Sequence, residues 1–100
     1  MARAPLSKEE IERRLAALDG WKFEDGRLKR RFKFDGFVGA FGWMASVALV
    51  AEKLDHHPDW KNVYDRVDVE LLTHDAGGVT ERDFDLARQM TDLAKRTERR

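Results

Sequence analysis

The chain has 100 residues, the size of one folding domain; such a chain buries roughly 60–70% of its unfolded surface, enough for one core but not for a deep cavity. Its 19 basic and 19 acidic residues cancel, so no bulk field draws in nucleic acid or an anionic membrane. The absence of cysteine excludes disulfides, thiolate metal sites and cysteine nucleophiles, and it fits a reducing, cytoplasmic setting.

The first residues, Met1-Ala2-Arg3-Ala4-Pro5, lack the apolar core of a signal peptide. Ser7-Lys8-Glu9-Glu10 reads as a capping box, in which Ser7 accepts the Glu10 amide and Glu10 reaches back. Ile11, Leu15 and Leu18 then share one helical face and Gly20 is a stop, so the pattern predicts a helix over 8–19. Trp21 and Phe23, Asp25-Gly26, then Leu28, Phe32 and Phe34 predict a hairpin with strands at 21–24 and 27–34, its turn of type I′.

Asp35 is a candidate cap for a helix over 36–54. Phe37, Phe41, Met44, Ala48, Ala51 and Leu54 form one stripe, while Val38, Trp43, Val47 and Val50 make the rest of the circumference apolar too. The uncharged run 36–51 is shorter than the about 20 residues that span a bilayer, so a buried helix is the better reading. One sheet face of so small a domain cannot cover it all, and the surplus points to a subunit interface, at Val47 or Val50 among others.

Pro58 closes this region, because the residue before proline avoids the α conformation. Strands follow at 60–63 and 67–73 with a turn near Asp65-Arg66; Val67, Val69 and Leu71 alternate with Asp68 and Glu70, a sheet with one wet face. A loop over 74–79 leads to a last helix that starts at Thr80-Glu81-Arg82-Asp83 and buries Phe84, Ala87, Met90 or Thr91, and Ala94. Basic runs occur at Lys29-Arg30-Arg31 and over 96–100; the second suits a helix C-terminus, and neither is read as a nucleic-acid footprint. No repeat or linker divides the chain, so residues 1–100 read as a single domain.

All three histidines, His56, His57 and His74, fall within nineteen residues. Imidazole titrates near neutrality, at about pH 6.5 when unperturbed, so the cluster points to proton chemistry or metal. Neighbouring side chains on a regular element diverge, and no His-x₃-His pair exists, so a three-histidine metal site is disfavoured. An acid and a base need only reach different atoms of one substrate, which a cleft shared by the ends of a helix and a strand would allow. Asp83 would fix a histidine tautomer or accept a ligand donor, Trp60 would wall a flat ring, and Pro58 would fix the backbone that presents the two histidines. Nucleophilic catalysis has little support: Ser7 and Ser46 are the only serines, and neither sits in an elbow motif.

The string Glu52-x₃-His56-His57-Pro58-x-Trp60, with Tyr64, the alternating strand, Thr73-His74 and then Gly78-Val79-Thr80-Glu81-Arg82-Asp83, closely resembles the pterin-4a-carbinolamine dehydratase family. The resemblance implies an α+β two-layer fold: a four-stranded antiparallel sheet with three helices on one face, in α-β-β-α-β-β-α order. It implies removal of water from a 4a-hydroxytetrahydropterin without metal or organic cofactor, in recycling of the tetrahydropterin used by aromatic amino acid hydroxylases. The residues carried over are His56, His57 and His74 as catalytic candidates, with Trp60, Asp83, Glu52 and Pro58 around the substrate. His56 and His74 would form the acid–base pair, with His57 mainly in binding. The implied partners are a small pterin and further copies of the chain, as homodimer or homotetramer, with no nucleic acid and no membrane. The alternatives are a non-catalytic dimerisation module of the same fold, acting on a protein partner, and a related reaction on another heterocycle.

Overall fold

The structure is a computed structural model that describes residues 4–98; Met1 to Arg3 and the end of the 96–100 basic run lie outside the described residues. The elements run α1 (Lys8–Leu15), β1 (Lys22–Glu24), β2 (Arg27–Lys33), α2 (Phe37–Leu54), β3 (Asp59–Val63), β4 (Arg66–Leu71), a 3₁₀ turn (His74–Ala76) and α3 (Glu81–Glu98). The four strands form one antiparallel sheet in the order β1-β2-β4-β3. This is the α+β, α-β-β-α-β-β-α arrangement expected from the sequence.

Strand register separates two environments. Directly paired residues share a face. Leu28 with Leu71, Phe32 with Val67, and Trp60 with Val69 lie on the side that carries the core. Lys29 with Glu70, Arg31 with Asp68, and Lys33 with Arg66 lie on the opposite side, which is charged almost throughout. Arg31 donates to Asp68 at 2.6 Å, which holds the Asp68 carboxyl below the usual carboxylate range. Lys29 reaches Glu24 and Asp25, and the Arg30 guanidinium stacks on Phe32 at 4.2 Å from the ring centre. The basic run at 29–31 is thus tied down within the sheet.

Several boundaries differ from the sequence reading. Helix α1 ends at Leu15 rather than near 19, and residues 16–18 tighten into a turn whose bonds join Ala17 to Arg14 and Leu18 to Leu15. The Ser7 cap forms, but Glu10 does not reach back; Arg13 and Arg14 take its carboxylate and hold its pKa down to about 2. The Asp25-Gly26 turn has φ of 55° and 76°, as type I′ requires. Gly36, not Asp35, is the N-cap of α2, at φ 96° and with no side-chain cap bond. Strand β4 ends at Leu71 rather than 73, and the β3–β4 turn falls one residue early, at Tyr64-Asp65.

Helix α2 buries one face only, and that face mixes the two expected sets: Trp43 and Val47 from the surplus, Ala51 from the predicted core stripe. Ala40, Trp43, Val47 and Ala51 enter the core, while Phe37, Val38, Phe41 and Leu49 stay exposed. Both stripes have helical spacing, so volume decides: Trp43 fills the space against Phe32 and Phe34, and its indole N–H bonds the Met90 carbonyl at 3.1 Å. Val47 is therefore a core residue, a correction to its expected place on an interface. Helix α3 buries Phe84, Leu86, Ala87, Met90, Thr91 and Ala94. Thr91 also accepts the Trp21 indole N–H at 2.8 Å, which ties the β1 end of the sheet to this helix.

The two faces of α2 make opposite predictions. Val47→Glu places a charge where nothing can pair with it and should cost more than about 4 kcal/mol. Leu49→Glu, at a position 77% exposed, should leave the fold intact. Chemical denaturation followed by circular dichroism distinguishes them; equal stability of the two variants would invert this account of the helix.

Candidate active site

Three chain ends meet at one rim of the sheet: the C-terminus of α2, the segment after β4, and the N-terminus of α3. Each is shaped by local backbone rules. Helix α2 ends in a Schellman turn, with Asp55 left-handed at φ 53°, its N–H bonded to the Glu52 carbonyl and the His56 N–H bonded to the Ala51 carbonyl. That turn, three residues ahead of Pro58, stops the helix and sends His56 inward. After β4, Thr73 bridges to Gly78 and the 3₁₀ turn between them sets His74 on its outer side. Pro5 lies behind this loop, where a Cβ on Gly78 would come within 2.9 Å of it, and Leu6 bonds the Val79 carbonyl.

The N-terminus of α3 carries a capping box. Thr80 Oγ1 accepts the Arg82 N–H at 3.2 Å, and Asp83 reaches back to accept the Thr80 N–H at 2.8 Å. Asp83 is completely buried. Its Oδ2 also accepts the Thr73 hydroxyl at 2.8 Å, while Oδ1 lies 2.5 Å from His56 Nε2. A buried carboxylate that accepts from a hydroxyl, an amide and an imidazole N–H has the partners its charge demands.

The cleft between these ends has a volume of about 330 Å³ and is lined by His56, His57, Pro58, Thr73, His74 and Arg82 among others. Each histidine meets one carboxylate. His56, 7% exposed, faces Asp83; exposed His57 bonds Glu52 at 3.0 Å; exposed His74 lies 3.8 Å from Asp59, an ion-pair distance rather than a hydrogen bond. The Arg82 guanidinium donates to the Leu54 carbonyl at 3.1 Å and to the Asp55 carbonyl, so α3 closes the end of α2. Among the described residues, no group of three or more His, Cys, Asp or Glu side chains is placed to hold a metal.

The structure brings His56, His57, His74 and Pro58 to one cleft and separates the other expected residues from it. Asp83 stands behind His56, fully buried, with its Oδ1 against the ring, where it can fix a tautomer. Glu52 reaches the cleft only through His57. Trp60 does not line it: β3 alternation turns the indole to the core side, 6.1 Å from Trp43. Arg82, Thr73, Thr80 and Asp59 were not singled out from the sequence. Thr80-x-x-Asp83 is itself a capping pattern, and it would have predicted that the Asp83 carboxylate turns back toward Thr80.

Comparison with known proteins fits this geometry. The family model described as pterin 4 alpha carbinolamine dehydratase matches residues 4–93. Relatives from Brucella ovis and Brucella abortus, each named "Putative pterin-4-alpha-carbinolamine dehydratase", are 55% identical over 96 residues, which is 94% of this chain and 99% of theirs. A solved structure described as a transcriptional coactivator/pterin dehydratase from Brucella melitensis superposes with a TM-score of 0.87 at 54% identity, covering 90% of this chain and 98% of its own. A pterin dehydratase-like protein identified as a RuBisCO assembly factor in the alpha-carboxysome has a TM-score of 0.61 at 20% identity, covers 74% of this chain and 86% of its own, and shows the fold alone. The chain belongs to the pterin 4 alpha carbinolamine dehydratase family.

Asp83→Ala should destabilise the protein by about 3–5 kcal/mol, because three buried donors lose their acceptor together. Urea denaturation measures this; a loss below about 1 kcal/mol would mean that water replaces the carboxylate and that the network is not a closed one.

Proposed function

We propose that this chain removes water from a 4a-hydroxytetrahydropterin to give the quinonoid dihydropterin, by general acid–base catalysis with its own histidines. The observation that carries the reading is the convergence of His56, His57 and His74 on one cleft, in a chain of this family that has no other histidine. At about 330 Å³ the cleft is at the small end of the roughly 300–1,000 Å³ usual for ligand sites.

The chemistry asks for two proton transfers. The C4a hydroxyl leaves as water once it gains a proton. The N5–H bond breaks, and its electron pair becomes the C4a=N5 double bond. His56 is the base in this reading. Its Nε2 is held by Asp83, so Nδ1 takes the N5 proton, and the resulting imidazolium sits against a buried carboxylate that stabilises it. His74, on the same cleft and open to solvent, gives its proton to the leaving hydroxyl. His57 binds the ring edge, oriented by Glu52. The product would pass back toward a pterin-dependent aromatic amino acid hydroxylase, and the cysteine-free chain suits the cytoplasm.

In a stopped-flow assay of 4a-hydroxytetrahydropterin decay, the protein should accelerate dehydration above the spontaneous rate, with or without a chelator. His56→Ala and His74→Ala should each lower kcat by about 10²–10⁴. His57→Ala should raise KM more than it lowers kcat. Near wild-type kinetics in all three variants would remove the histidine mechanism. A rate lost to chelator and restored by zinc would replace it with a metal one.

The same reading makes the chain a homodimer or homotetramer joined in part through α2. Val38 (84% exposed), Leu49, Phe37 and Phe41 make one outward apolar strip. At roughly 25 cal/mol per Å², leaving it in water forfeits several kcal/mol that a second copy would recover. A non-catalytic binding module would use this strip for another protein and leave the histidine cleft idle, so the decay assay separates the two readings. Leu49→Glu or Val38→Glu should reduce the mass seen by light scattering while the melting curve stays cooperative. A wild-type monomer at micromolar concentration would rule the assembly out.

A further inference from the structure

We propose that Thr73 is a positioning residue, whose hydroxyl aims the Asp83 carboxylate at His56 and so leaves Nδ1 of His56 as its reacting nitrogen. The inference rests on the dehydratase reading for its kinetic consequence, but not for its structural one.

The direction of each bond follows from which atoms can donate. Thr73 Oγ1 lies 2.8 Å from Asp83 Oδ2 and 2.7 Å from Thr80 Oγ1. A carboxylate only accepts, so the Thr73 proton goes to Asp83. Thr73 then has no proton for Thr80, and the Thr80 hydroxyl must donate to Thr73. Thr80 Oγ1 can do so, because its own lone pair takes the Arg82 N–H. The order is therefore Thr80 O–H to Thr73 O–H to Asp83 Oδ2, with the Thr80 N–H as the second donor to Oδ2.

Two donors on Oδ2 fix the plane of the carboxylate and leave Oδ1 for a single task, acceptance of the His56 Nε2 proton at 2.5 Å. All four residues, His56, Thr73, Thr80 and Asp83, are buried, so water does not compete easily for these sites. Nε2 is then committed to the interior, and only Nδ1 can exchange a proton with a substrate. Without the Thr73 hydroxyl, Oδ2 keeps one donor and the carboxylate can rotate about χ2, which is a soft torsion. The His56 ring then loses its fixed tautomer, and a fraction of molecules carries the proton on the wrong nitrogen. Thr73 also lines the cleft, but its hydroxyl is spent on Asp83 and Thr80.

The test pairs tautomer spectroscopy with kinetics on the full chain. Long-range ¹H–¹⁵N histidine spectra of the wild type should show neutral His56 as the Nε2–H tautomer; a dominant Nδ1–H form would overturn the proposal before any variant is made. Thr73→Val should fold, blur that signature toward an averaged one, and lower kcat by about tenfold with KM within about twofold. Thr73→Ser should restore both. If Thr73→Val fails to fold, Thr73→Ala serves as the truncation with the same expected spectrum. An unchanged tautomer and kcat in the truncation, or a serine variant that recovers stability without recovering the tautomer, would reduce Thr73 to a packing residue. Should the wild type fail to accelerate dehydration, the functional reading falls while the spectra still decide what Thr73 does.

Discussion

The burial of one carboxylate, that of Asp83, is the constraint on which the rest of the site depends. An ionised group at 0% exposure is tolerated only with several good donors. Here the donors come from three different parts of the chain: the α3 N-terminus through the Thr80 amide, the segment after β4 through Thr73, and the end of α2 through His56. Satisfying the charge therefore helps fix the relative positions of three chain ends, alongside the Arg82 bonds to the end of α2 and the Thr73–Thr80 bond. The energetic need for a closed network and the geometric need for a preset imidazole are met by the same atoms.

The fold supplies these ends through a division of the sheet into a dry side and a charged side. On the dry side Leu28, Phe32, Val67, Val69 and Leu71 hold α2 and α3 in place, and Trp43 and Trp21 each spend an indole N–H on α3. On the charged side cross-strand pairs such as Arg31 with Asp68 and Arg27 with Glu70 keep the sheet soluble at little net energetic gain. The cleft sits at neither face but at the rim, where the C-terminus of α2 and the N-terminus of α3 meet. Arg82 is placed where that matters: it starts one helix and satisfies the final carbonyls of the other.

Much of this was legible in the sequence, and the unread part has a common cause. Local chemistry was readable: the Ser7 cap, the Asp25-Gly26 turn, the alternation of β4, and a histidine cluster in a recognisable string. What the sequence leaves open are choices between two locally equivalent answers. Two stripes of α2 had helical spacing, and only the bulk of Trp43 against Phe32 and Phe34 selects one. The resemblance puts Trp60 beside the substrate, with core packing as the alternative, and strand alternation turns its indole to the core side, 6.1 Å from Trp43. For Asp83 the sequence leaves two roles open, and its burial, a tertiary fact, places it on the inner side of His56. Thr73 and Thr80 stand in the recognisable string, but their role is unreadable for the same reason: a threonine signals little until a buried carboxylate is known to need its proton.

The unequal exposure of the histidines bears on how so small a domain can turn over. The proposed elimination adds a proton to one atom of the substrate and removes one from another, so two histidines acting as its acid and base would end each cycle in exchanged states. A pair sealed in a pocket would have to trade protons through the product. His74 instead has 74% of its side chain open to solvent and can be reset by water directly. His56 is nearly sealed, with Asp83 against its Nε2, so in the proposed mechanism that carboxylate would stabilise the ring after it takes a proton. A shallow cleft is then no defect of a 100-residue chain. In that mechanism the buried partner would supply the fixed geometry and the exposed partner the proton exchange, and a deeper pocket would gain the first at the expense of the second.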